Sequence, residues 1–278
     1  SMANMFEEKK RKQEAINAAM SKIKHVIAVA SGKGGVGKST VAANVALSLA
    51  KKGYRVGLAD ADIYGPSVPT LFNIENEQIM VTEVDGKQLM VPFEKYGIKM
   101  MSVGFFVDKD KPMLWRGPMA ANTLTQMLTE THWGELDFMV LDMPPGTGDI
   151  QLTLVQQFSV SGSIFVCTPQ QLAVADVRRA VNMFKNDQVA VPMIGLVENM
   201  ANFTPRELPD NKYYIFGKGG GEALAKELDL DLIAQIPISM DISETNDTGN
   251  PIALDFSSPE AECFMELADK ITSKTIKK

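Results

Sequence analysis

The sequence predicts a doubly wound α/β fold, with a mostly parallel sheet flanked by helices and an antiparallel hairpin at its edge. Three observations predict it. Apolar runs of strand length alternate with segments of helical period along most of the chain. Several of these runs, such as HVIAVAS (25 to 31) and LDFMVLD (136 to 142), lack polar alternation, as strands covered on both faces do. In QIMVTEVDGKQLMVPF, two short alternating stretches flank Asp85-Gly86, a dipeptide favoured in tight hairpin turns.

In chain order, residues 1 to 24 read as a charged helical extension and 25 to 278 as one domain, with no repeat and no Pro/Gly/Ser-rich linker. Strands are expected at 25 to 31, 55 to 60, 98 to 104, 136 to 142, 162 to 168, 192 to 199 and 231 to 237. Helices are expected at 38 to 52, 117 to 131, 171 to 186, 219 to 229, 240 to 247 and 259 to 274.

Composition narrows the function classes. The 278 residues are 45% hydrophobic and 22% charged, as in ordinary globular proteins, and the formal net charge is −6. That acidic balance argues against a non-specific nucleic-acid binder. No apolar run approaches the ~20 residues of a membrane span. The two cysteines, Cys167 and Cys263, lie far apart in sequence, which excludes a disulfide framework and suits a reducing cytoplasm.

The chemistry begins at Gly32-x-x-x-x-Gly37-Lys38-Ser39, a Walker A pattern placed after an apolar strand and before a helix. The backbone N–H groups of Gly34, Gly35, Val36, Gly37, Lys38, Ser39 and Thr40 are candidates to cradle phosphate oxygens at a helix N-terminus. Lys38 is expected to reach the β/γ-phosphates of ATP, and the Ser39 hydroxyl to ligate Mg²⁺. Asp142, ending an apolar strand, fits a Walker B carboxylate near Mg²⁺. In the turn Pro144-Pro145-Gly146, the Gly146 N–H is a candidate γ-phosphate donor. In LADADIYGPS, a strand next to the phosphate-loop strand would bring Asp60 and Asp62 to the ligand edge of the sheet. Asp60 is a metal candidate there and Asp62 a candidate for positioning the attacking water. A helix N-cap or a solvated loop is the plainer reading of Asp62. Asn199 and Pro237 end successive strands, where an amide and a flat ring suit an adenine base.

Together these residues resemble the deviant-Walker P-loop ATPases, the group of the ParA and MinD proteins and the nitrogenase iron protein, marked by the extra lysine in K-G-G-V-G-K-S/T, here Lys33. Within that group the chain is similar to the Mrp/ApbC-like iron–sulfur cluster carrier ATPases. DADIYGPSVPTLF, LDMPPGTGDIQLTL, TPQQLAVADVRRAVNMF, YYIFGKGGGEALA and IPISMDISETNDTGNPI carry that similarity. The resemblance implies ATP hydrolysis by a homodimer in which Lys33 reaches the opposite subunit's phosphates, with iron–sulfur apoproteins or assembly factors as partners. A solvated loop charge is the plainer reading of Lys33.

One departure matters. The family pattern has a Cys-x-x-Cys for a shared iron–sulfur cluster, and the matching stretch here, FTPRELPDNKYYIFG, holds no cysteine. Cys167 and Cys263 read as packed small hydrophobes. The alternative is therefore a metal-free assembly or positioning ATPase of the ParA/MinD kind. The basic tail ADKITSKTIKK has few apolar residues to insert, so stable membrane binding is not expected. The role of Arg116 in LWRGPM is left open by its sequence context.

Overall fold

The computed structural model describes residues 2–107, 117–239, 249–251, 253 and 258–276. Its centre is an eight-stranded sheet ordered β10-β9-β8-β1-β7-β2-β6-β5. The strands are β1 (Ile23–Ser31), β2 (Val56–Asp60), β5 (Phe93–Lys95), β6 (Ile98–Ser102), β7 (Leu136–Asp142), β8 (Gly162–Cys167), β9 (Met193–Glu198) and β10 (Leu232–Gln235). All neighbours in this sheet pair in parallel except β5, which runs antiparallel to β6.

The unbroken apolar runs have a simple cause. Along β1, Val26, Ala28 and Ala30 belong to one buried cluster, while the intervening Ile27 and Val29 belong to another. Helices cover both faces, so either side of a central strand meets hydrocarbon. On one face lie α4 (Gly117–Thr129), α5 (Asp149–Gln157), α6 (Gln171–Lys185) and α7 (Gly220–Leu228), through residues such as Leu124, Leu154, Val177 and Leu224. The N-terminal α1 (Met2–Met20) joins that face through Ile16. On the other face lie α2 (Lys38–Lys51), the short α3 (Val68–Leu71) and α8 (Pro259–Thr275), through Val41, Leu71 and Phe264.

Three features differ from the sequence expectation. The Asp85-Gly86 hairpin forms, with both turn residues at positive φ, but β3 (Met80–Val84) and β4 (Lys87–Val91) make a separate two-stranded sheet. It is fastened to the body where Met90 exchanges backbone hydrogen bonds with Glu130 and His132. The hairpin at the main sheet's edge is instead β5–β6, which turns at Tyr96-Gly97, again with both φ positive. Second, β2 does not adjoin the phosphate-loop strand. β7 lies between them, and its register sets Asp142 beside both Val29 of β1 and Asp60 of β2. Third, α5 has no counterpart among the expected helices, because its apolar core LTLV reads equally as a short strand. The helix expected at 240 to 247 lies outside the described residues, as does Arg116.

Candidate functional site: a phosphate loop facing buried carboxylates

The parallel register brings the C-terminal ends of β1, β7 and β2 together, at the sheet edge where ligands bind in open α/β folds. β1 leads into the loop from Gly32 to Gly37, and α2 starts at Lys38. Gly35 and Gly37 have φ of 78° and 80°, a region L side chains rarely adopt. A Cβ at Gly34 or Gly35 would meet nothing within 4 Å, so this stretch of backbone is open to an incoming group. Ser31 Oγ donates to the Lys33 carbonyl (2.8 Å) and braces the loop's entry. The cavity above it, about 230 Å³, is lined by Lys33, Gly34, Gly35, Gly37, Lys38, Ser39 and other residues of the loop's two ends. Val36 turns the other way, into the core.

Lys38 is only 5% exposed. Its ammonium forms an ion pair with Asp142 Oδ1 and lies 3.4 Å from Asp62 Oδ2. Burial pulls the Lys38 pKa down, but the Asp142 and Asp62 carboxylates outweigh it and hold the group above its ordinary value, so it stays charged. Asp62 itself is pinned: its Oδ1 accepts from the N–H groups of Tyr64 (3.1 Å) and Gly65 (3.2 Å). Burial raises its pKa, against the pull of Lys38.

Asp60 is fully buried and faces the scaffold. Its Oδ2 accepts from Ser102 Oγ (2.9 Å) and from the Val68 N–H at the start of α3 (3.1 Å), and its Oδ1 from the Asp62 N–H (3.2 Å). Asp60 thus holds both ends of the 61–68 segment that presents Asp62. Burial, and then the neighbouring Asp142 charge, push its pKa up to about 7.

A metal was expected from this pattern, and one atom fits it. Asp142 Oδ2 is buried and accepts no hydrogen bond, the condition of an oxygen that lacks a cation or donor. Among the described residues no group of three or more His, Cys, Asp or Glu side chains is arranged to hold a metal. Ser39 and Thr40 line the cavity, and Asp142 reaches its edge only through the ion pair with Lys38.

The remaining candidates are placed differently. The Gly146 N–H donates to the Ser31 carbonyl (2.9 Å) rather than facing the cavity. The reason is local: Gln151 of α5 donates to the Pro145 carbonyl (2.6 Å) and folds the turn down. Asn199 reaches the phosphate loop from below, its Nδ2 donating to the Val36 carbonyl (3.0 Å). Pro237 lines a separate cavity of about 670 Å³ with Phe203, Ile238 and Cys263. Lys33 borders the phosphate cavity, and among the described residues its ammonium pairs with no acid. Burial, with Glu198 adding to it, pushes the Cys167 thiol up to about 12. Burial, with Glu266 adding to it, pushes the Cys263 thiol up to about 11. Both stay protonated, as packed small residues do.

Sequence reasoning passed over Gly65 and Ser67, which close the phosphate cavity, and Ser102, which anchors Asp60. It also passed over Glu198, buried at the end of β9, which accepts from Gly221 N (2.6 Å) and Gln235 Nε2 (3.1 Å). The turn-forming Gly65-Pro66-Ser67 was the available signal for the first two.

The Asp60 shift carries a pH signature. The native state holds a proton to about pH 7 that an ordinary carboxyl loses near 3.8, so native stability falls as pH rises between those values. Asp60→Asn has no such proton to lose. Urea unfolding of the nucleotide-free, magnesium-free protein should therefore find the variant gaining on wild type from pH 5 to pH 7.5. A constant or reversed difference would contradict the assignment.

Comparison with known proteins agrees with this geometry. Residues 22–272 match a family model described as ParA: NUBPL iron-transfer P-loop NTPase. An iron–sulfur cluster carrier protein of Aquifex aeolicus is 49% identical over 257 residues, 91% of this chain and 68% of its own length. One from Pyrococcus horikoshii is 44% identical over 269 residues, 94% of this chain and 90% of its own. Among solved structures, the nucleotide-binding protein of Archaeoglobus fulgidus in complex with ADP superposes with a TM-score of 0.76 at 37% identity, covering 89% of this chain and 94% of that one. The cell division ATPase MinD of Pyrococcus furiosus, at 19% identity and a TM-score of 0.59 over 90% of this chain and 99% of its own, shares the fold. A phosphate loop backed by Lys38 and Asp142, a doubly wound sheet and near-complete coverage by one family lead to a single assignment: the chain belongs to the NUBPL-type iron-transfer P-loop NTPases of the ParA group.

Proposed function

We propose that the protein binds and hydrolyses Mg-ATP as a homodimer, and that the nucleotide cycle serves iron–sulfur cluster assembly. The observation that carries the reading is the buried Lys38 ammonium held by Asp142 and Asp62 beneath an open glycine loop. In the nucleotide-free state those carboxylates neutralise Lys38. A triphosphate entering the loop offers Lys38 a richer set of anionic oxygens, so the ammonium moves toward the β/γ-phosphates and Asp142 is left with its charge exposed to the site. Ser39 and Asp142 would hold Mg²⁺, which would supply the charge neutralisation that phosphoryl transfer requires. Asp62, freed from Lys38 and still oriented by the Tyr64 and Gly65 N–H groups, takes a water in line with the γ-phosphate. Lys33, on the cavity's rim with no acidic partner among the described residues, supplies a cation to the nucleotide of a second copy. ATP turnover and dimer fraction, measured together, test this. Lys38→Met should lower turnover by at least about 10³-fold, and Lys33→Ala should lower turnover and the ATP-dependent dimer fraction in parallel. A Lys33→Ala protein that dimerises and hydrolyses as wild type does would remove the role in trans.

The cargo is a separate question. The 203–217 segment has no cysteine, and both cysteines of the chain are packed, protonated thiols. These residues do not fit an iron–sulfur cluster. That observation favours a second reading, in which the protein acts on clients or assembly factors through nucleotide-dependent contact without holding the cluster itself. Anaerobic reconstitution with iron and sulfide checks it. The expected product is colourless and iron-free, whereas a stable visible chromophore with stoichiometric iron would restore direct carriage.

A further inference from the structure

The end of the sheet away from the phosphate loop carries another cavity, of about 750 Å³. Among its lining residues, the buried Val160 and Val191 precede β8 and β9. The phosphate loop instead follows the end of β1, and these three strands run parallel. One wall of the cavity is the last turn of α5, and another is α1, through Lys9, Lys12 and Gln13. Gln13 Nε2 donates to the Gln157 carbonyl (3.0 Å), which fixes α1 beside the cavity and occupies one of the carbonyls at the end of α5.

The charge in this cavity has one sign. Among the described residues that line it none is acidic, and Lys9 and Lys12 bring two ammonium groups. Lys12 Nζ donates to the neutral amide oxygen of Asn122 on α4 (3.1 Å), and among the described residues neither ammonium pairs with an acid. The chain as a whole carries a net charge of −6, so this wall opposes the sign of the molecule. Helical spacing extends the wall. Met2, Met5, Phe6, Lys9, Lys12 and Ile16 recur at three- and four-residue steps, so they share one face of α1. Ile16 is buried against the body, but Met2, Met5 and Phe6 are 90%, 71% and 73% exposed. At about 3.6 residues per turn, Glu7 and Glu14 fall on the opposite side of the helix and Glu8 on its flank.

We propose that this face of α1 and the cavity beside it form a docking site for an acidic amphipathic segment of a partner protein. The segment's carboxylates meet Lys9 and Lys12, one apolar side chain enters the cavity over Val160 and Val191, and others cover Met5 and Phe6. A recess with an apolar floor suits an inserted side chain better than a flat lipid surface. The site shares no residue with the phosphate cavity, so partner docking and nucleotide binding are separately testable.

Fluorescence anisotropy gives the test, with a labelled synthetic helix that carries leucine along one face and glutamate beside it. The control is the same helix with glutamine in place of glutamate. Wild type should bind the glutamate helix at least about tenfold more tightly at low salt, with the preference shrinking as salt rises. Lys9→Glu/Lys12→Glu should lose that preference, and Phe6→Ser should weaken both helices alike. Lys226→Glu, on α7 and outside the site, should bind as wild type does. The altered side chains are exposed, so the unfolding midpoint should stay at the wild-type value. Equal affinity for the two helices, a preference that survives in the double variant, or an equal loss in Lys226→Glu would overturn the proposal. So would a wild type that binds neither helix, or one that binds phosphatidylserine vesicles in preference to the glutamate helix, which would make the face a membrane contact.

Discussion

The structure depends on how one ammonium is neutralised. Lys38 begins a helix in the interior, 5% exposed, where an unpaired charge would be costly enough to drive out its proton or unfold the turn. Asp142 resolves that cost, and it can do so only because β7 runs directly beside β1 in parallel and ends opposite Val29, just before the phosphate loop. Asp62 adds a second anion from the loop after β2, which is held in turn by Asp60, Ser102 and the start of α3. The sheet order, the register and the loop geometry therefore converge on one pair of atoms. Breaking a buried pair by removing one partner costs about 3–5 kcal/mol in general, so the arrangement is stable as long as nothing better than a carboxylate is offered to the lysine.

Under the proposed function a triphosphate is the better partner, which would make the site a switch as well as a binding pocket. Its arrival would redistribute charge among groups tied to different parts of the fold. Asp62 is coupled through Tyr64 and Gly65 to the 61–68 segment, and Asp142 through β7 to the turn capped by Gln151. Asn199 and Glu198 are consecutive residues, one bonded to the phosphate loop and the other to the first turn of α7. The segment between them and α7 carries exposed Leu208, Tyr213 and Ile215. Loop state and this outer segment thus share one short anchor.

Much of this was legible in the residues. The strand–loop–helix context around Lys38, the carboxylate ending LDFMVLD and the two-sided burial of the central strands follow from pattern alone, because each rests on local spacing. What was not legible depends on which strand lies beside which. The expectation that β2 adjoins β1 failed because a parallel sheet leaves its order open, and the insertion of β7 changes Asp60 from a ligand-facing group into a scaffold acceptor. The contact between Asn199 and the phosphate loop was hidden for the same reason. An amide at a strand end suits a base, and only the three-dimensional reach across β8 reveals a backbone partner 163 residues away. The helix α5 escaped because a short apolar run fits either period.

The central claim is that Asp142 competes with phosphate for Lys38 and, in return, needs a cation once Lys38 leaves. The most direct measurement is ATP affinity of wild type and Asp142→Asn, each with Mg²⁺ and in its absence under chelation. The account predicts that the variant binds magnesium-free ATP more tightly than wild type, because the competing carboxylate is gone, and that added Mg²⁺ no longer strengthens binding. A variant that binds magnesium-free ATP more weakly, or that keeps the full magnesium enhancement, would contradict it.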